Sequence, residues 1–110
     1  MTQDEKITQL KNLLSPDTPT DEELVALLLI TQGAILNRRY PFGTDIYEVP
    51  ARYEYIQLQM CVALYNKKGA EGQTAHRENG ISRTYEAGDI PQSLLKQILP
   101  MAGSVANENS

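Results

Sequence analysis

One segment of this chain is apolar on two sides, and that constrains its fold more than anything else in the sequence. Between Pro50 and Gly69 the residues read PARYEYIQLQMCVALYNKKG. Pro50 is a good first-turn residue and Gly69 a standard C-terminal glycine, so a helix is expected from about Pro50 to Lys68. Tyr53, Ile56, Met60 and Ala63 form one stripe, joined by Leu64. Tyr55, Leu58, Val62 and Tyr65 form a second at the same spacing. At about 100° per residue the stripes lie on nearly opposite sides, with Glu54, Gln57 and Gln59 in narrow polar strips between them. A helix apolar on two sides is buried on two sides. Two arrangements satisfy this: the helix is central in a compact bundle, or one stripe faces another subunit, because a monomer rarely exposes a large apolar patch.

The rest of the chain supplies few partners for such a helix. A first helix is expected over Gln3–Leu14, opened by the capping-box pair Thr2 and Glu5, with Ile7, Leu10 and Leu14 on one face. Pro16 and Pro19 end it. Thr20 opens a second helix, with Glu23 at the capping-box position and Asp21, Glu22 and Glu23 at the positive end of the dipole. Its stripe is Leu24, Leu27, Leu28, Thr31 and Ile35; Val25, Leu29 and Leu36 lie well round the cylinder. Arg38 and Arg39 suit the negative end, and YPFGTD, punctuated by Pro41 and Gly43, reads as a turn. A short amphipathic helix is expected after Pro91, carrying Leu94, Leu95, Ile98 and Leu99 before Pro100. The first stripe of the central helix matches the Leu24–Leu28–Ile35 face and is expected to form the intrachain core. The second is left for a neighbour.

At 110 residues the chain is one domain by length, expected to cover 1–100 with a frayed tail over 101–110. The longest apolar block, Leu24 to Ile30, is too short to span a membrane. The N-terminus lacks the basic start and apolar middle of a signal peptide, and the single Cys61 rules out an intrachain disulfide. Synthesis in a cytoplasm is the expectation. A net charge of −4 argues against a general nucleic-acid binder. Residues 1–25 carry six acids and two bases, whereas 38–83 carry seven bases and five acids; a solvated surface explains that imbalance most simply.

No reactive constellation emerges. His76 has no second histidine or cysteine cluster to make a metal site. Cys61 lies inside a helix without a histidine at helical spacing and reads as a buried structural thiol. No serine sits in a G-x-S-x-G setting. GAEG (69–72) matches the G-x-x-G of KH modules but follows a long helix instead of linking two short ones, and no G-K-[ST] follows to make a phosphate loop. No catalytic, cofactor or metal residue is assigned.

What remains is the polar stretch YNKKGAEGQTAHRENGISRTYEAGDIP, from Tyr65 to Pro91, with four glycines and eight charged residues. A loop this long is usually functional or disordered. Asn79-Gly80 is a strong hairpin-turn signal, so a small hairpin is the one strand structure the sequence allows. The stretch offers Lys67, Lys68, Arg77, Arg83 and Tyr85, of which arginine and tyrosine are frequent interface anchors.

In combination, YNKKGAEGQ, ENGISRTYE and GDIP, preceded by DEELVALLLI, ILNRRYPFG and VPARYEYIQLQMCVALYNKKG, resemble the head–tail connector proteins of long-tailed phages, the small head-completion adaptors. The resemblance covers roughly residues 3 to 100. It implies an all-helical subunit without enzymatic activity. It further implies assembly into a ring under the portal at one capsid vertex, joining head to tail, with packaged DNA crossing the channel.

The expected fold is therefore all-α, a bundle of three to four helices with a long polar loop before the last. The expected role is a virion assembly protein, made in the bacterial host cytoplasm and placed at the head–tail junction. Its expected partners are further copies of itself, the portal and a tail-side connector or tail-completion protein; packaged DNA passes without specific binding and no membrane is involved. Tyr55, Leu58, Val62 and Tyr65 are the candidate subunit interface. Lys67, Lys68, Arg77, Arg83 and Tyr85 are the candidate partner-docking residues, ordered by assembly. The rival reading is a small nucleic-acid-binding module using Arg38, Arg39, Lys67, Lys68, Arg77 and Arg83, which would bind DNA tightly and salt-sensitively as a monomer.

Overall fold

The computed structural model describes residues 1–72 and 85–101. Among these residues there are four α-helices and no strand. Helix α1 spans Gln3–Leu14, α2 Asp21–Arg39, α3 Glu54–Gly72 and α4 Gln92–Leu95. Single 3-10 turns at Ala51–Tyr53 and Ala87–Asp89 precede α3 and α4. The Asn79-Gly80 hairpin lies outside the described residues, as do His76, Arg77, Arg83 and the tail from 102 onward.

The helix starts follow the side chains that satisfy free backbone N–H groups. Thr2 Oγ1 accepts from the Glu5 N–H at 3.1 Å, and the Glu5 carboxylate accepts from the Thr2 N–H at 2.8 Å, completing the capping box of α1. Thr20 Oγ1 accepts from the Glu23 N–H at 3.0 Å to open α2. The Ser15–Pro16 peptide bond is cis, and Pro19 in the same connection is buried. At its far end α2 closes on Tyr40, whose N–H donates to Leu36 at 2.8 Å. The chain then turns through Gly43, at φ 101°, a conformation that favours glycine.

Helix α3 is the centre of the bundle. Tyr53, just before it, lies beside Arg39 at the end of α2; Gln57 meets Leu28 and Thr31; Tyr65 meets Asp17. Helix α2 thus runs antiparallel to α3. Lys6 of α1 reaches Gln57, so α1 runs alongside α3 in the same direction. The buried residues of α2 are Leu24, Leu27, Leu28, Thr31 and Ile35, the stripe its sequence predicts. They pack with Leu10, Leu14, Met60, Cys61 and Leu64 in one core. Full burial of such a side chain is worth about 1.5–3 kcal/mol relative to exposure.

Three residues of α3 depart from the two-stripe expectation. Gln57, assigned to a polar strip, is buried, because its amide joins all three long helices. Its Oε1 accepts from Lys6 Nζ at 2.6 Å, and its Nε2 donates to the Leu28 carbonyl at 3.1 Å and to Thr31 Oγ1 at 3.2 Å. Leu58, expected on an outward stripe, is only 2% exposed and belongs to the intrachain core. Ile56, expected in the core, is half-buried at its edge. Nor does α3 stop at Gly69; it runs to Gly72. One interior glycine costs a helix only about 1 kcal/mol, too little to force an end.

The last described segment is a strap along α2. Tyr85 is buried and its hydroxyl donates to the Glu23 carboxylate at 2.6 Å, near the start of α2. At the other end Arg38 Nε donates to the Ile98 carbonyl at 2.9 Å and an Arg39 guanidinium nitrogen donates to the Leu99 carbonyl at 2.8 Å. The Met101 N–H returns a bond to the Arg39 carbonyl at 2.8 Å, and the Leu99 N–H donates to the Tyr53 hydroxyl at 3.2 Å. Met101 is therefore tied to the body, although the sequence suggested a frayed tail from that residue. Helix α4 is shorter than expected: after Leu95 the chain turns, burying Ile98 and leaving Leu99 exposed.

The burial of α3 predicts opposite outcomes at two residues of its second stripe. Leu58→Ala should lower unfolding free energy by about 2–5 kcal/mol. Tyr55→Ala should stay within about 0.5 kcal/mol of wild type. Urea unfolding of the isolated chain measures both.

Candidate assembly surface

The second stripe of α3 divides once the core has closed. Tyr55 is 68% exposed. Val62 and Tyr65 are half-buried, and the Tyr65 hydroxyl donates to Asp17 Oδ2 at 3.2 Å. Leu58 faces inward. Of the four candidate interface residues, Tyr55 alone is open to a large contact, and the rest of its face is polar: Gln59 and Asn66 are exposed. Arg52, one turn before Tyr55, is exposed with its guanidinium over the Tyr53 ring at 5.7 Å. Arg52 makes no ion pair among the described residues.

The candidate docking residues also separate. Tyr85 is buried by its own chain, since its hydroxyl satisfies Glu23 and its ring joins the core. A residue so placed fixes the end of the polar stretch and is not an open contact. Lys67 lies 3.7 Å from Asp89 in an exposed pair, worth little in stability, and Lys68 is half-buried. Arg77 and Arg83 fall outside the described residues. The structure does not gather Arg38 and Arg39 into an open basic patch. Both are half-buried, both hold carbonyls of the C-terminal strap, and Arg39 also lies 5.9 Å from the Tyr40 ring centre and 6.0 Å from that of Tyr53.

The connection between α2 and α3 reads in the sequence only as a turn at YPFGTD, with no candidate contact residue assigned to it. Residues 41–48 are all exposed, and three of them are large and apolar: Phe42 at 77%, Tyr47 at 74%, and Ile46. The connection is nonetheless shaped. The Gly43 N–H donates to the Tyr40 carbonyl at 3.0 Å, the Ile46 N–H donates to Thr44 Oγ1 at 2.9 Å, and the Gln32 side-chain amide donates to the Tyr47 carbonyl. Buried Val49 anchors its end. The available signal was three large apolar residues in a segment with no helical or strand period, where a solvated turn would be polar.

The thiol of Cys61 is chemically quiet. Burial pushes it from 9.0 to about 12, and the Thr31 hydroxyl at 3.5 Å and the Lys6 charge only partly offset that. The folded protein therefore holds a proton there that the unfolded chain gives up near 9. Below about pH 8 both states carry a neutral thiol and stability is unaffected. As pH climbs from 9.0 toward 12 the unfolded state gains by ionising, and wild type should lose about 1.4 kcal/mol per pH unit more than Cys61→Ala. Urea midpoints of the two proteins against pH check this.

Among the described residues no three metal-binding side chains cluster, and no helix is long and apolar enough to cross a membrane. Residues 7–101 match the family model described as phage gp6-like head–tail connector protein. Comparison with curated proteins and with solved structures finds no match.

Proposed function

We propose that this chain, which belongs to the phage gp6-like head–tail connector family, acts as a ring-forming adaptor between the portal and the tail. The family is one of structural connectors, so the role of each side chain is to fold the subunit or to bind a partner. The match over residues 7–101 carries the reading, because it takes in every helix except the first turn of α1. The structure supports it in two ways. Among the described residues the core closes within one chain, and that body presents Tyr55, Arg52 and the 41–48 connection at its surface. The ring would sit at the head–tail junction of the virion, after synthesis in the host cytoplasm, with packaged DNA passing through it.

The nucleic-acid reading is weakened by one specific observation. Arg38 and Arg39 direct their guanidinium groups at the Ile98 and Leu99 carbonyls, so they are not free to follow a phosphate backbone. Binding by the remaining bases would be shallow and easily screened.

Mixing the purified chain with the portal of the same phage and imaging the product by electron microscopy should reveal a ring of this protein on the portal. Failure to bind the portal, together with tight DNA binding by the monomer that falls steeply with salt, would favour the rival. The same reading makes Arg77 and Arg83 partner contacts. Alanine at each should leave the melting temperature nearly unchanged and impair joining of heads to tails. A large loss of stability with normal joining would assign them to folding instead.

A further inference from the structure

We propose that the 41–48 connection is a docking element for a second copy of this chain, seating on that copy's Arg52–Tyr55 face. The proposal rests on the ring reading above and names its lateral contact.

The two surfaces belong to different elements at one end of the α2–α3 pair. At 100° per residue Tyr55 lies about 150° round α3 from the middle of its buried face. The connection is instead tied to α2, through Gln32 and the Tyr47 carbonyl. Leu29, one turn before Gln32, is exposed on the outer side of α2, about 140° from that helix's buried stripe. One subunit thus carries two different exposed apolar surfaces. Either surface meeting its own kind gives a twofold pair, whereas one meeting the other gives a head-to-tail contact, which closes into a ring when the rotation permits.

Charge favours the same partner. Asp45 and Glu48 flank Ile46 and Tyr47, both are exposed, and neither forms an ion pair among the described residues. The Tyr55 face offers Arg52, likewise exposed and without an ion pair among the described residues. An acidic, apolar loop and a basic, aromatic face are complementary in sign and in character. Phenylalanine, tyrosine and arginine at the centre of the two surfaces are the residue types that dominate interface energetics. The turn at Gly43 and the bonds at Ile46 and Tyr47 hold the loop in one shape before docking, which lowers the ordering cost.

The test is sedimentation velocity of the purified full chain, alone and with the portal, for wild type and surface variants whose folding is checked by circular dichroism. Phe42→Ser and Tyr47→Ser should weaken self-association by at least about tenfold with unchanged helicity. Glu48→Arg and Arg52→Glu should each weaken it, and the double variant Glu48→Arg/Arg52→Glu should recover much of the loss, because the swapped pair re-forms between copies. Self-association indifferent to all four substitutions overturns the proposal. So does normal self-association with lost portal binding, which would give the loop to a different partner. A wild type that associates with neither itself nor the portal overturns the ring reading, and this contact with it.

Discussion

The side-chain amide of Gln57 is the interaction on which the rest of the fold depends. A buried amide without partners would cost several kcal/mol, so its position obliges three helices to keep one register. The orientation of the group follows from its neighbours: the oxygen meets the Lys6 ammonium, and the nitrogen meets the Leu28 carbonyl and Thr31 Oγ1. Thr31 can serve because its own hydroxyl proton turns back to the Leu27 and Leu28 carbonyls, at 2.9 and 3.2 Å, leaving a lone pair for Gln57. Lys6 in turn tolerates being largely buried because it has Gln57 at 2.6 Å and Glu54 at 3.7 Å. A slip of one residue in α1 would take the Gln57 oxygen from Lys6, and a slip in α2 would take its nitrogen from Leu28 and Thr31. Leu, Ile and Met side chains around this network supply the favourable energy, and the network supplies the register.

That register decides which side of α3 is left open. With Gln57 and Cys61 turned between α1 and α2, Leu58 is carried into the core and Tyr55 is carried out of it. The two-sided hydrophobicity of this helix is therefore mostly the mark of a central helix, and its N-terminal end keeps Tyr55 exposed. The adjoining 41–48 connection concentrates further exposed apolar surface at the same end of the α2–α3 pair. A chain built this way needs no neighbour to complete its described core.

How much of this was legible depended on whether the determining contacts were local. The stripe of α2 and the threonine caps of α1 and α2 could be read directly, because capping and helical period involve residues within one or two turns. Gln57 could not, since its burial is set by Lys6, Leu28 and Thr31, which lie 26 to 51 residues away. Leu58 and Tyr55 look alike in a helical wheel, and only the placement of neighbouring helices separates them. Arg38 and Arg39 were read as helix-end charges, which they are, but their partners 60 residues on are backbone carbonyls that no side-chain pattern announces. Tyr85 looked like an exposed loop residue for the same reason: Glu23, its acceptor, lies 62 residues earlier.

The C-terminal strap gives those long-range bonds a purpose. It begins at Tyr85 on Glu23 and ends at Met101 on Arg39, following α2 in the same direction from one end to the other. From Glu23 to Arg38 a helix rises roughly 22 Å, and the strap covers that length with two short helical pieces and the buried anchors Ile90 and Ile98. Closing the core this way fixes both ends of the polar stretch at the end of the body where α2 starts, because α3 runs antiparallel to α2 and Tyr85 docks on Glu23. The 41–48 connection belongs to the opposite end, where α2 stops. The described chain thus leaves the body after Gly72 and re-enters it at Tyr85 at one end of the helix pair, and the 41–48 connection lies at the other. On the proposed reading this separates the tasks: one end supplies contact between neighbours in the ring, and the other carries Arg77 and Arg83 toward a different protein. An adaptor that must hold its own copies and a second component at once needs such a division, since a single surface could not bind both.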